Sequence, residues 1–299
     1  MSIAHYTSSF FFKDNPLFSI KDNLLKLLWK LRVDPLSLSL KDGWNRISEN
    51  YQQKSRIPTD DVYWGDFVAT ESQLRILGDV RGKRILEIAC GGAQNSIALS
   101  KWGAKAFGVD LSRKQILYGR KLVRNENAEV SLLVCNIEKL PFKDESFDIV
   151  TTAVSLHYAP DLNAVVSEAS RVLVKDGYFT FSAAHPLSEG KLVKYRGKSA
   201  VALRNYFKRR IVRWIDKLPD GSIVKMHSYY RTLQDYFDVL TKKGFAVERY
   251  VELERLNENM LHPLDKCKIR KEREARQQYR IMKEAPYWII FKACKRTVL

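Results

Sequence analysis

Between Arg84 and Asp110 the chain reads RILEIACGGAQNSIALSKWGAKAFGVD. An apolar strand, Arg84 to Cys90, breaks on two glycines. A short helix, Asn95 to Trp102, follows and is stopped by Gly103. A second strand, Lys105 to Val109, ends at Asp110. Few folds use those pieces in that order. The glycines permit a tight turn and let a ligand lie against the backbone. The first turn of the helix has N–H groups without intrahelical partners, and they point at whatever sits over the turn. An acid at the end of the second strand can accept hydrogen bonds from a ribose diol. This is the plan of a site for an adenosine-containing ligand at the carboxyl edge of a parallel sheet.

The chain downstream keeps the same rhythm. Ser112 caps a helix through about Val123, and Glu129 to Cys135 and Phe147 to Ser155 read as the third and fourth strands. Asp161 caps a helix to Val174, Gly177 follows it, and Tyr178 to Ala184 is a fifth strand. Strands apolar on both faces that alternate with helices predict an α/β fold: a mostly parallel sheet with helices on both sides. Thr232 to Lys242, stopped by Gly244, is another helix. Phe245 to Leu253 and Tyr287 to Ala293 complete about seven strands, with the charged run CKIRKEREARQQYRIMKE as a helical connection between them.

Two regions flank this pattern. Near the start, Ile20, Leu24, Leu27, Leu28 and Leu31 fall on one face of an amphipathic helix over Ser19 to Leu31, with Pro35 past its end. Lys41 to Asp79 is looser and rich in aromatics beside acids and amides. After Pro186 comes a basic insertion, Leu187 to Ser228. Within it Leu203, Phe207, Ile211, Trp214 and Leu218 make an apolar stripe, with Arg204, Lys208, Arg209, Arg213 and Lys217 mostly off it. The expected organisation is a helical N-terminal cap or lid over 1–80, a cofactor-binding core over 81–185, a basic helical insertion serving as a substrate lid over 186–230, and the remaining helix and strands of the core over 231–299.

The net charge of +17 favours anionic partners: nucleic acid, an acidic membrane or an acidic substrate. Cys90, Cys135, Cys267 and Cys294 form no CxxC pair and no Cys/His cluster with zinc spacing, so no metal is expected. They read as reduced thiols of a cytoplasmic protein. Phe10 to Phe12 is too short an apolar run for a signal peptide, and no window holds the roughly 18 apolar residues of a membrane span. Apolar faces with basic rims in the N-terminal region and the insertion also allow a peripheral seat on an anionic membrane.

Nicotinamide dinucleotide and S-adenosylmethionine are the main candidate ligands, and Glu87 separates them. A carboxylate inside the first strand would be repelled by a pyrophosphate and would favour a cationic aminoacyl group. The turn also lacks the full GxGxxG of the dinucleotide fingerprint. RILEIACGGAQNSIALSKWGAKAFGVDLS resembles the cofactor-binding half of the class I S-adenosylmethionine-dependent methyltransferases. CNIEKLPFKDESFDIVTTAVSLHYAPD resembles the continuation in their small-molecule branch, which includes quinone-biosynthesis C-methyltransferases, and VSEASRVLVKDGYFTFSAAHP resembles the helix and strand after it. The likeness covers roughly Gly82 to Pro186 and is weaker through Phe291.

The resemblance implies a Rossmann-like class I methyltransferase fold, with S-adenosyl-L-methionine as cofactor. Glu87, Ala89 and Gly91 match the motif that holds the methionine part. Asp110 matches the acid that binds the ribose hydroxyls, and Leu111 lies beside the adenine. Asn136 and Ile137 match the pair after the third strand, where an acid usually contacts the adenine amine. Val154 and His157 lie in the segment that passes near cofactor and substrate, and Tyr63, Asn95 and Gln115 complete the cofactor set. The chain departs from the family at Ala89 and Ala93, where glycine is common, and at Asn136, whose side-chain oxygen can still accept from an amine.

Methyl transfer from a sulfonium is an in-line displacement in which the cofactor carries its own activation. The protein must align the partners, a contribution worth about 7–11 kcal/mol in the best model systems. No nucleophilic residue is required. Candidates for a base or a substrate contact are His157 after the fourth strand, His185 after the fifth, and His227 before the next helix; each also reads as a structural histidine. Tyr51, Tyr63 and Trp64 precede the first core strand and offer either an aromatic face to a sulfonium or simple packing. The expected substrate is a small, apolar or acidic molecule. RNA methylation is the alternative that the charge suggests, against the absence of a recognisable RNA-binding module and of an NPPY-like run where this chain has SLHYAP. A non-catalytic cofactor-binding subunit is a third reading, and oligomeric state is open.

Overall fold

The structure is a computed structural model that describes residues 39–296; the amphipathic run at Ser19 to Leu31 lies outside the described residues. Five strands run parallel: β1 (Arg84–Ile88), β2 (Lys105–Asp110), β3 (Val130–Val134), β4 (Phe147–Thr152) and β5 (Leu173–Ala184). With β10 (Phe245–Leu253) and β11 (Trp288–Lys295) they form one seven-stranded sheet in the order β3-β2-β1-β4-β5-β11-β10, β11 alone being antiparallel to its neighbours. The order reverses direction between β1 and β4. A crevice opens at the carboxyl ends of the strands at such a switch point.

Side-chain alternation along the strands builds two cores. Ile85, Ile149 and Ile290 face one side and pack with Ala98 and Leu99 of α3 (Gln94–Lys101) and with Trp64, Phe67 and Ile76. Leu86, Ile88, Val150 and Phe291 face the other and pack with Val165, Val166 and Ala169 of α5 (Leu162–Val172) and Leu240 of α6 (Leu233–Lys242). The helix starts follow the capping chemistry. Ser112 accepts the Gln115 N–H at the start of α4 (Arg113–Asn125), Asp161 accepts that of Ala164 in α5, and Thr232 and Asp235 form a reciprocal box on α6. No helix among the described residues is long and apolar enough to cross a membrane.

Three boundaries differ from expectation. The looser stretch before the sheet holds a full helix, α1 (Leu40–Ser55), and a single turn, α2 (Glu71–Leu74). Helix α1 buries Asn50 and Gln52 as well as Ile47, so amides occupy part of the face that a hydrophobic stripe would mark. Helix α5 passes straight into β5 at Leu173, and Gly177 lies inside that strand, where an added Cβ would sit 3.0 Å from the Asp148 carbonyl. Strand β4 ends at Thr152 and gives way to a 3-10 turn, Leu156–Tyr158.

Beyond a 3-10 turn at Pro186–Glu189, the insertion is not helical over 186–230. It forms two hairpins, β6 (Lys191–Tyr195) with β7 (Lys198–Ala202) and β8 (Ile211–Lys217) with β9 (Ile223–Tyr229). Along β8 exposure alternates, with Val212, Trp214 and Asp216 turned inward and Ile211, Arg213 and Ile215 outward. That period-two pattern of β-branched residues outweighs the three-to-four spacing of the stripe. Arg196 and Gly197, both at positive φ, make the tight turn of the first hairpin. The second hairpin covers α1: Asp216 accepts from Asn50 Nδ2 at 2.8 Å and pairs with Lys54 Nζ at 2.8 Å, and Trp214 lies 6.4 Å from the Trp44 ring. The charged connection before β11 is helical as expected, split into α7 (Pro263–Lys271) and α8 (Arg273–Ile281).

Candidate functional site

The turn after β1 is built from left-handed residues. Ala89 (φ 52°), Gly91 (φ 53°) and Ala93 (φ 65°) all lie in the region that favours glycine. A Cβ at Gly91 would meet nothing within 4 Å, so this residue faces open space. The alanines accept strain of about 1–2 kcal/mol each. Ala89→Gly, whose methyl lines a cavity instead of the core, should raise the urea midpoint of ligand-free protein by an amount equivalent to about 0.5–1 kcal/mol. An unchanged or lower midpoint would show that the turn relaxes elsewhere.

Two carboxylates flank the turn. Asp110, at the end of β2, takes the Gly91 N–H on Oδ2 at 2.9 Å and the Ser112 N–H on Oδ1 at 2.8 Å. Burial pushes it up to about 6, against the pull of those two N–H groups. Glu87, inside β1, is 4% exposed and accepts from the Ser96 hydroxyl. Burial pushes it up to about 7, with a further rise from Asp110. The turn thus carries two acids and, on its open side, bare backbone.

Two adjoining cavities run over this turn. The smaller, about 130 Å³, is lined by Asp110, Leu111, Gln115, Asn136 and Ile137. The larger, about 310 Å³, is lined by Glu87, Tyr63, Asn95, Asp66, Lys268 and Gln278 among others. Trp44, Tyr51, Ala89, Gly91, Ala153, Val154 and Tyr158 line both, so they form the neck between them. Val154 holds φ 52° there, an unusual conformation for a β-branched residue. Every residue of the expected cofactor set therefore lines one or both cavities.

Several of those side chains are already engaged. Asn95 grips the Tyr63 backbone reciprocally, Oδ1 accepting the N–H at 2.8 Å and Nδ2 donating to the carbonyl at 3.2 Å. Asn136 Oδ1 accepts the Glu138 N–H at 3.0 Å, which leaves it one lone pair. Gln115 belongs to a buried amide relay: Gln52 Nε2 donates to Gln115 Oε1 at 2.7 Å, and Gln94 Nε2 donates to Gln52 Oε1 at 2.6 Å. The relay ties α1 down over the turn. A Cβ at Gly92 would come within 2.7 Å of Gln52 Nε2, so the close approach needs glycine there.

The aromatic wall differs from expectation. Trp64 is 0% exposed and donates from Nε1 to Glu71 at 3.0 Å, so it anchors the core and presents no face to a ligand. Tyr51 and Tyr63 do line the larger cavity. The rings that stand at the neck with Tyr51 are Trp44, 5.4 Å from it edge-on, and Tyr158, 5.1 Å from Trp44.

None of the three candidate histidines lines either cavity. His157 packs behind Tyr158 with ring centroids 4.2 Å apart, and its buried Nδ1 has no hydrogen-bond partner. Burial, with Arg231 adding to it, pushes it down to about 3, which makes it a feeble proton acceptor. His185 has both ring nitrogens occupied: Nδ1 takes the Leu187 N–H at 3.0 Å and Nε2 lies 3.1 Å from Glu252 Oε1. His227 lies on β9, its Nε2 3.5 Å from the Tyr229 hydroxyl.

Known proteins resemble this chain in sequence and fold. A family described as "Methyltransferase domain" matches residues 86–181. An uncharacterised protein of Haemophilus influenzae is 27% identical over 246 residues, which is 78% of this chain and 84% of that protein. A demethylmenaquinone methyltransferase of Bacillus subtilis is 30% identical over 140 residues, 45% of this chain, and the match spans 58% of the relative's length. A structure of an S-adenosylmethionine-dependent methyltransferase from Mesorhizobium loti superposes with a TM-score of 0.56 at 21% identity, covering 75% of this chain and 95% of that one. That last likeness speaks to the fold.

Proposed function

Because residues 86–181 match a methyltransferase-domain family, we propose that the chain is a class I S-adenosylmethionine-dependent methyltransferase and that it methylates a small apolar molecule held next to the neck of the two cavities. The observation that carries this reading is the order of groups along them: a diol acceptor, Asp110, at one end; three aromatic rings in the middle; a buried carboxylate, Glu87, at the other. S-adenosylmethionine presents a ribose diol, a sulfonium and an ammonium in that same order. When bound, it supplies an electrophilic methyl group.

The residues fit that cofactor. Each Asp110 oxygen holds one backbone N–H and keeps a lone pair for a hydroxyl. Leu111 and Ile137 offer apolar flanks to a base. Glu87 is a buried carboxylate that accepts from the Ser96 hydroxyl, a costly state that a ligand ammonium would relieve. Trp44, Tyr51 and Tyr158 line the neck, where aromatic rings can attract a cation and exclude water.

The histidine positions favour catalysis by positioning over catalysis by a strong base, since none reaches the cavities. An apolar acceptor agrees with the aromatic neck and with the name of the Bacillus subtilis relative, a demethylmenaquinone methyltransferase. Such acceptors dissolve in membranes. The exposed face of β8, where Ile211 and Ile215 alternate with basic residues, suits a peripheral seat on an anionic bilayer.

The test is to incubate the protein with methyl-labelled cofactor and cell extract, then count label in organic-soluble, water-soluble and RNA fractions. Label should enter the organic-soluble fraction, and more of it when acidic phospholipid vesicles carry the acceptors. Label in RNA would move the reading to RNA methylation. Cofactor binding with no labelled product in any fraction would favour a non-catalytic subunit.

A further inference from the structure

The larger cavity has a second polar wall that the groups above leave unused. Lys268, on α7, and Gln278, on α8, both line it. The Lys268 side chain is 14% exposed, with Nζ 2.8 Å from Asp66 Oδ1 and 3.6 Å from Asp265 Oδ1. Burial pulls its ammonium toward the neutral form, and the two carboxylates more than offset this, so it remains charged. Three N–H donors sit on that nitrogen, and Asp66 and Asp265 face at most two. Gln278 Nε2 is buried with no hydrogen-bond partner. Gln278 borders the cavity, and rotation of its amide would bring this unpaired donor to what fills the cavity.

The other charges on the lining sharpen the point. Lys54 is committed to Asp216 at 2.8 Å. Glu87, Asp66, Glu272 and Glu274 are all acids. Of the two cations on the lining, Lys268 is the one with most of its side chain buried, and Gln278 adds an amide donor without a partner.

Glu87 and Lys268 line the same cavity, with Tyr63, Asn95 and Asp66 on its wall as well. Asn95 grips the Tyr63 backbone, and Asp66 holds Lys268. A carboxylate and an ammonium borne on one ligand carbon call for an ammonium and a carboxylate of the protein in one cavity.

We propose that Lys268 and Gln278 form a carboxylate-binding subsite that takes the carboxylate of the cofactor's methionine end while Glu87 takes its ammonium. This rests on the cofactor reading above. It assigns a binding role to the charged connection between β10 and β11, far in sequence from the glycine turn.

The test compares S-adenosylhomocysteine, which carries the amino-acid end, with 5′-methylthioadenosine, which lacks it, by calorimetric titration of the full chain. Gln278→Met removes an unpaired donor at similar volume and should fold at least as well as wild type. It should weaken S-adenosylhomocysteine about tenfold and leave 5′-methylthioadenosine within twofold. Lys268→Met should weaken S-adenosylhomocysteine further, with the same contrast. Equal losses for both ligands, or none, would overturn the subsite.

One further arm separates the source of the carboxylate. Suppose S-adenosylhomocysteine binds the variants as tightly as wild type, while benzoate binds the saturated wild type but not the variants. The carboxylate then belongs to the acceptor, and the cofactor assignment is wrong. A well-folded wild type that binds neither adenosine ligand would remove the cofactor reading itself, and this assignment with it.

Discussion

Asp110→Ala should bind S-adenosylmethionine at least a hundredfold more weakly than wild type in calorimetric titration, with its circular dichroism unchanged. Two losses combine. The proposed ribose hydroxyls would each lose a hydrogen bond to a charged acceptor, worth about 1.5–3 kcal/mol apiece, and each 1.4 kcal/mol is tenfold in affinity. The Gly91 and Ser112 N–H groups, held at 2.9 and 2.8 Å, would also lose their acceptor, so the turn would be less well set for the ligand. Asp110→Asn separates the two losses. It keeps an oxygen for one backbone N–H and gives up the charge, and it should fall between wild type and Asp110→Ala. An Asp110→Ala protein that binds as wild type does would mean that the smaller cavity holds something other than a ribose.

The glycine turn was readable because its chemistry is local. A strand, two glycines, a helix and an acid within 27 residues leave little freedom, and the structure brings Glu87, Gly91 and Asp110 to one cavity system. The sheet was readable for a similar reason: strands buried on both faces are rich in apolar residues, such as Ile85, Leu86 and Ile88 of β1 and Phe147, Ile149 and Val150 of β4. The insertion misled because Ile211, Trp214 and Leu218 satisfy a helical stripe on spacing alone. The β-branched content of IVRWI, with its period of two, was the better guide. Helix α1 was hidden by its buried amides, which serve the relay to Gln115 and look polar in sequence. Trp44 and Tyr51 are seven residues apart, on one helical face, and would have marked the neck had the helix been drawn.

Long-range placement was the part that spacing could not reach. Tyr158 and His157 both follow β4, and their spacing does not tell which ring faces the site. The structure turns the tyrosine to the cavity and the histidine behind it. Trp64 and Tyr63 are adjacent, and only one can face inward; the choice depends on Glu71, which gives the indole N–H a buried acceptor. Lys268 and Gln278 carry no sequence signal at all. They sit in a run of charges that reads as solvated surface, and only the packing of α7 and α8 onto the cavity sets them apart.

Glu87→Gln should have opposite effects on stability and binding, and pH should separate them. Glu87 is pushed up to about 7 in the folded chain from an ordinary value of 4.5, chiefly by burial. A carboxyl raised on folding favours the folded state at low pH, and that contribution is lost as pH rises through the folded value. At pH 8 the ligand-free wild type therefore holds a buried charge that glutamine removes. The variant should be more stable there by about 1–3 kcal/mol in urea denaturation, and the difference should vanish near pH 5. Binding runs the other way. The ammonium of the cofactor needs the ionised carboxylate, so wild-type affinity should fall about tenfold between pH 8 and pH 6 as Glu87 takes up its proton. Asp110, raised to about 6, should steepen the fall below that. Glu87→Gln should bind about 10–100-fold more weakly at pH 8, the value of one desolvated charge-assisted contact, and should lose the part of the pH dependence that lies between 8 and 6. A wild-type affinity that is flat across that range would mean that Glu87 faces no cation. The Ser96 hydroxyl and other groups of the protein would then hold it without a ligand, and the match between the two carboxylates and the ligand would fail at that end.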